Sequence, residues 1–445
     1  MTAAEPLPFE DAEDALVDAD RSFTPGSARS ALRHRTFRRV FYGSFLSNVG
    51  TWMQNVVLGA LAYDLTGSAT FVGVILFAQL GPLLLLAMVG GALADTVDRK
   101  RLLIWVTGSQ MVLSFVLALV AAPDDPNLIV LVAVVFAIGI GQAIFAPTYA
   151  ALLPQLVGRD DLPGAISLHS ANMNGSRVIG PVIGALLDSA FGAPAVFAVN
   201  GLSFLFVIGS LLTVHLPPPP AAGPGDARSL GRLMSGFAIA RRDTVVGRCL
   251  VTIFTFSVLS LTLVGQFPVV AERNLGIDER STSYGLLYAC FGIGAVIGAL
   301  SIGTVFASWS KERIVRNTLL AYAAALAVFA LLRSPAPAYP AVVIVGLTYF
   351  AFITSLSTVL QARLEDHERG RVMALWIMAF GGSVPIGNLI AGPIIDATSA
   401  TTVLLGGAVV ALGLAGYARL DLPRPPVAVS AAGTPAAPGR PPDWP

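Results

Sequence analysis

The chain has 445 residues, of which 55% are hydrophobic and only 12% charged. A soluble domain carries about a quarter of its residues as charges, so this composition excludes a soluble globular protein and points to a polytopic membrane protein. The formal net charge of +1 says nothing about partners by itself; where the charges fall is informative.

Residues 1–35 read as a disordered acidic N-terminal tail. Glu5, Glu10, Asp11, Glu13, Asp14, Asp18 and Asp20 crowd into it, with little apolar periodicity and no signal-peptide opening. Twelve apolar runs follow, near 38–63, 69–94, 101–122, 127–152, 164–190, 194–215, 244–271, 281–306, 313–333, 339–361, 371–396 and 400–420. Each is long enough to cross a bilayer as a helix. The expected fold is therefore all-α, with twelve transmembrane helices in two six-helix bundles, 36–216 and 244–421. A cytoplasmic linker at 217–243, opening Pro217-Pro218-Pro219-Pro220, separates them. A Pro/Ala/Gly-rich disordered tail at 422–445 closes the chain.

Arginine and lysine give the orientation. With the N-terminus in the cytoplasm, 22 of the 28 Lys and Arg residues fall in cytoplasmic segments. Only Arg273, Arg280 and Arg333 fall in outer loops. This positive-inside bias predicts a multi-pass protein of the cytoplasmic (inner) membrane with both termini cytoplasmic. An internal repeat agrees: shifting by 208 places Gly184-Ala-Leu-Leu-Asp188 over Gly392-Pro-Ile-Ile-Asp396. Two six-helix halves in parallel repeat are the mark of one large transporter fold.

After the second run the chain reads Gly91-x-Leu93-Ala94-Asp95-x-x-x-Arg99-Lys100-Arg101. This resembles the loop signature between helices 2 and 3 of the major facilitator superfamily. Thr96 stands where that family usually has Arg, and Asp98 where Gly is common. In the second half Gly303 falls over Asp95, so that copy is degenerate. The resemblance implies a gate, in which Gly91, Asp95, Arg99, Lys100 and Arg101 hold one access state. Read from the residues alone, the stretch is also an ordinary cytoplasmic turn rich in cations.

The fifth run places Ser170, Asn174, Arg177, Pro181, Gly184 and Asp188 on one helical face. An arginine about 20 Å along the helix is too costly to face lipid. Arg177 either attracts substrate or pairs structurally with Asp64, Asp188 or helix carbonyls. Gly180, Pro181 and Gly184 resemble the helix-five motif of proton-coupled exporters of the same superfamily. In that family helices 1, 4, 7 and 10 line the cavity, with 2, 5, 8 and 11 beside them. The polar and aromatic residues of these runs are then the candidate cavity set: Asn48, Trp52 and Asn55; Gln142, Phe145 and Tyr149; Asn174 and Arg177; Thr262 and Gln266; Tyr288; Thr354 and Thr358; Trp376 and Phe380. Runs three, six, nine and twelve read as plainer supports. No acid lies mid-run, so Asp64 and Asp188, near outer ends, are the proton-coupling candidates.

Phosphate-cradling, hydrolase and metal-site motifs are absent. His34, His169, His215 and His367 are scattered, and Cys249 and Cys290 read as small apolar helix residues. No enzyme activity, cofactor, metal or nucleic-acid partner is expected. Four further phrases resemble the enterobactin-exporter and macrolide-efflux branch of the superfamily: Tyr63-Asp64-Leu65-Thr66-Gly67-Ser68-Ala69, Gly91-Ala-Leu-Ala-Asp95, Arg177-Val-Ile-Gly180-Pro181 and Arg369-Gly370-Arg371-Val372-Met373. The resemblance implies a monomeric secondary transporter, exporting a siderophore, drug or similar amphipathic metabolite against protons by alternating access. A metabolite importer, a lipid flippase and a non-transporting membrane scaffold or sensor are the rival expectations.

Overall fold

Capping residues set where the helices begin. In the computed structural model, which describes residues 24–214 and 229–420, α1 (Ala28–Arg33) starts behind Ser27, whose hydroxyl accepts from the Ser30 N–H. α2 (Arg35–Thr66) ends at Gly67, whose φ of 60° is the left-handed conformation glycine adopts without strain. α3 (Ala69–Thr96), α4 (Arg99–Val120) and α5 (Leu128–Leu156) start behind Ser68, Asp98 and Asn127, each capping with its side chain. α6 (Leu162–Phe191) and α7 (Ala193–Thr213) complete the first half.

The second half opens with α8 (Ser229–Arg242) and α9 (Thr244–Leu259). The seventh predicted span is broken, continuing as α10 (Thr262–Gly265) and α11 (Phe267–Leu275). The break at Ser260 is held from both sides: Ser260 Oγ donates to the Gly407 carbonyl at 2.7 Å, and the Ser260 carbonyl accepts from Tyr322 Oη at 3.0 Å. α12 (Thr282–Gly303), α13 (Lys311–Leu331) and α14 (Pro335–Arg363) follow. The eleventh span is also interrupted. α15 (Asp366–Ile377) passes through a π-helical turn, Met378–Gly382, into α16 (Val384–Ala397). α17 (Ala400–Tyr417) ends the described chain.

Every described element is helical. Nine helical stretches among the described residues are long and apolar enough to cross a membrane by length and composition. The other three expected spans fall on α2, α3 and α6. Large apolar side chains such as Trp105, Leu119, Ile129 and Phe191 stand exposed around the outside, an arrangement suited to lipid and not to water.

Helices α2–α7 pack with one another, with α2 against α6 and α7, α3 against α5, and α4 against α5 and α7; α9–α17 form the second group around α12, α13, α14 and α17. The halves meet mainly along α3 with α16 and along α6 with α12. These contacts are backbone-close. A Cβ on Gly392 would lie 2.6 Å from Thr70 Cα, and one on Gly285 2.8 Å from the Pro181 carbonyl oxygen. Two ends of the molecule can be told apart. The basic end carries Arg99–Arg101, Arg248 and Lys311; the far end carries Asp64, Asp188, Arg273 and Asp396.

Two expectations need correction. The presumed tail is ordered from Thr24, because the Asp161 carboxylate accepts from the Gly26 N–H at 3.0 Å and contacts His34 Nε2 at 2.9 Å, pinning α1 to the start of α6. The third and sixth spans are not plain supports. Gln54 Oε1 on α2 accepts from Ser114 on α4 at 3.1 Å and from Asn200 on α7 at 2.8 Å, all three buried. An amide carbonyl offers two lone pairs, and this network fills both.

Candidate functional site

Arg177 sits where the two halves face one another. Its guanidinium carbon lies 4.8 Å from the centroid of Trp52 on α2 and 4.9 Å from that of Phe350 on α14. Neither Asp64 nor Asp188 pairs with it among the described residues. A planar cation over two rings makes two cation–π contacts, favourable where water is excluded. Phe350 escaped sequence reasoning, since one aromatic in a long apolar run carries no signal until its partner helix is known.

The other cavity candidates divide by location. Asn48, Gln142, Phe145 and Tyr149 line a pocket wholly within the first half. In it Gln142 accepts from Gln110 Nε2 at 3.2 Å, and Phe145 stacks on Tyr149 with centroids 5.6 Å apart. Asn48 donates to Asn172 Oδ1 at 3.1 Å, and Asn55 accepts from Gln79 Nε2 at 2.5 Å. Asn174 donates to the Ser170 carbonyl of its own helix at 2.9 Å. Across the interface, Thr262 is buried with no partner for its hydroxyl among the described residues, and Gln266 Nε2 donates to the Ala69 carbonyl at 3.2 Å. Tyr288 packs on Phe267 at 4.9 Å. Thr354 is half-buried, and its carbonyl accepts from exposed Thr358 at 2.8 Å. Buried Trp376 and half-buried Phe380 lie 6.4 Å apart.

At the basic end the side chains of Gly91 and Asp95 lie outside the described residues. The cations after them tie α4 to its neighbours: Arg99 Nη1 donates to the Ala151 carbonyl at 3.3 Å and Lys100 Nζ to that of Val214 at 2.5 Å. Lys100 thereby caps the C-terminal end of α7, where cations are favoured. Arg101 is exposed, and its N–H is capped by Asp98 at 2.9 Å. Gly90 lets α3 approach α5, since a Cβ there would lie 2.7 Å from the Ala143 carbonyl oxygen. The helix-five glycines serve the same purpose. A Cβ on Gly180 would lie 2.9 Å from the Val49 carbonyl oxygen, and one on Gly184 3.0 Å from Met53 Cα. Pro181 is buried one residue away.

The far end is latched. Asp396 on α16 reaches across to the start of α3 and accepts from the Ala69 and Thr70 N–H groups at 2.9 Å, and from the Ser68 and Thr70 hydroxyls at 2.7 Å. A carboxylate on exposed N–H groups at a helix N-terminus is a strong cap, here supplied by the opposite half. Arg273 pairs with Asp396 at 2.9 Å and donates to Tyr63 Oη at 2.9 Å. Arg280 pairs with Asp64 across the same boundary. Asp188 is buried nearby, with Oδ1 unpartnered. Between α11 and α12, Glu279 is buried, and burial together with Glu272, Asp278 and Asp64 raises its carboxyl to about 7. Glu279 was not singled out in sequence, where it is one acid of an ordinary loop.

Residues 26–437 match the family described as transmembrane secretion effector. The chain belongs to this major facilitator family. Relatives of this secretion effector include the enterobactin exporter EntS of Shigella boydii serotype 4 (strain Sb227), 26% identical over 353 residues, covering 77% of this chain and 81% of EntS. EntS of Escherichia coli O1:K1 / APEC is likewise 26% identical, with the same coverage. Among solved structures, the nucleoside transporter NupG superposes with a TM-score of 0.69 at 13% identity, over 86% of this chain and 98% of NupG. A bacterial homolog of the human lysosomal transporter Spinster, inward-facing and unoccupied, gives 0.63 at 14% identity, over 86% and 95%. The fold is thus that of major facilitator transporters.

Proposed function

We propose that this secretion effector is a secondary active exporter of a small amphipathic organic molecule, a siderophore, drug or secondary metabolite. It works across the cytoplasmic membrane by alternating access, against protons. The observation that carries this reading is Arg177, held between one aromatic ring from each half. A site shared by both halves is remade whenever they rock, which alternating access requires. Its chemistry, one cation and flat apolar faces, suits a molecule with both ring surface and oxygen-rich groups. The likeness to EntS supports efflux as the direction.

The positive-inside bias supports a cytoplasmic basic end and cytoplasmic termini. The latched far end is then outside, and the conformation is inward-facing. In this reading Asp64 and Asp188, joined by Glu279, exchange protons with the outer medium when the latch opens, and Asp95 holds the inner gate in the opposite state.

Intracellular accumulation of a metabolite panel, with and without the protein, tests this. At least one amphipathic compound should be depleted by the protein, and a protonophore should abolish the depletion. Unchanged accumulation across the panel would overturn export, and depletion that survives the protonophore would overturn proton coupling. Asp95→Asn should abolish export while leaving membrane insertion, read by surface labelling, normal.

A further inference from the structure

The pocket inside the first half is not the space between the halves. Its walls come from α2, α4, α5, α6 and α7, all of one bundle. Its cavity volume is about 100 Å³, below the roughly 300–1,000 Å³ of a whole small-molecule site, so it has room for one ring of a larger molecule and not for the molecule itself. Its residues include no Asp, Glu, Lys or Arg. Apart from His169 it offers no side chain to balance a charged group, which would be costly to bring in unpaired.

What it does offer is flat ring surface and uncommitted hydrogen-bonding groups. Phe145 and Tyr149 stack nearly parallel, at 19°, and the His169 ring lies 5.2 Å from Tyr149. Thr107 is fully buried, and its hydroxyl has no partner among the described residues; His169 Nδ1 is likewise unpartnered among them. The Gln110–Gln142 bond uses one amide N–H group and one carbonyl, leaving the Gln142 amide nitrogen without a partner among the described residues. Buried polar atoms are nearly always paired, so Thr107 Oγ1 and His169 Nδ1, both in the lining of one pocket, mark a place where something else supplies the bond.

We infer that this pocket is a binding subsite for a neutral planar ring bearing hydroxyl or amide substituents, a terminal moiety of the exported molecule. The ring stacks along Phe145, Tyr149 and His169, and its substituents reach Thr107 and Gln142. The identification of the ligand as cargo rests on the export reading; the binding site does not. Transport would then begin by docking one ring in the first half before the rest of the molecule meets Arg177.

The test is saturation-transfer NMR on the full-length protein in lipid nanodiscs, using 4-hydroxybenzamide as probe. Benzoate and cyclohexanecarboxamide are the charged and non-planar controls. The probe should bind and both controls should bind far more weakly. Thr107→Val and Gln142→Leu should each weaken the probe roughly five-fold, the worth of one neutral hydrogen bond, and Thr107→Ser should restore it. Because the Thr107 hydroxyl makes no bond among the described residues, Thr107→Val should not lower thermal stability, which separates lost binding from misfolding. No probe binding, equal binding of benzoate, or full affinity in both variants would overturn the subsite. Normal probe binding by a protein that depletes no compound from cells would support the subsite and overturn the export reading.

Discussion

Arg177 concentrates the chemistry of the interface. An arginine deep in a membrane span normally takes a carboxylate, yet here the half-buried guanidinium lies over two rings, Trp52 and Phe350. Desolvated cation–π contacts contribute up to ~2 kcal/mol each. Arg177→Ala should therefore abolish export, and Arg177→Lys, which keeps the charge but not the flat stacking surface, should slow it roughly tenfold in vesicle efflux. Equal rates for wild type and Arg177→Lys would show that only the charge matters. Glu279 gives a prediction in pH. Its carboxyl is raised from the ordinary 4.5 to about 7, chiefly by burial. The folded protein then holds a proton that the unfolded chain releases, so the stability contributed by protonated Glu279 is present below about 4.5 and lost as pH rises to about 7. Glu279→Gln should flatten that part of the stability-pH profile, measured by thermal unfolding; an unchanged slope would assign it to other groups.

Between elements, the latch of α16 on α3 is the contact most open to test. Asp396 satisfies N–H groups that no residue of α3 itself can reach. Asp396→Ala should lower the stability of the far-end-closed form by ~1 kcal/mol or more, the usual value of a lost N-cap. The backbone-close glycines make the same boundary intolerant of bulk. Both features come from residues that look unremarkable in sequence: Gly392 and Asp396 are legible as a repeat of Gly184 and Asp188, but nothing in that repeat says one copy caps a helix and the other is buried unpaired. The helix spans themselves were legible to within a few residues. Apolar length is a local property, and caps such as Ser68, Asn127 and Ser399 lie beside the helices they start. The breaks at Ser260 and Met378–Gly382 were not legible, because each depends on a partner brought in from another helix.

At the scale of the molecule, the proposed alternating-access cycle would have the halves rock about the interface pairs α3–α16 and α6–α12, closing the basic end as the far end opens. Spin labels at exposed Arg159 and Val305, at the basic ends of α6 and α12, report it. Their separation should shorten in Asp396→Ala relative to wild type; identical distance distributions would show that the latch does not govern the equilibrium.

Amino-acid sequence alone determined the membrane class and the number and limits of the apolar runs, and it is the basis on which the repeated halves and the sidedness are proposed. These are counts and periodicities along one chain, set by the thickness and polarity of a bilayer. Tertiary structure alone decided what the polar residues do. It placed Arg177 between rings from both halves, turned Asp396 into a cap for a helix more than three hundred residues away, and divided the expected single cavity into an interface site and a pocket inside the first bundle. Such roles depend on which helix faces which, and that is settled by close packing of small residues across the fold, not by anything local in the chain.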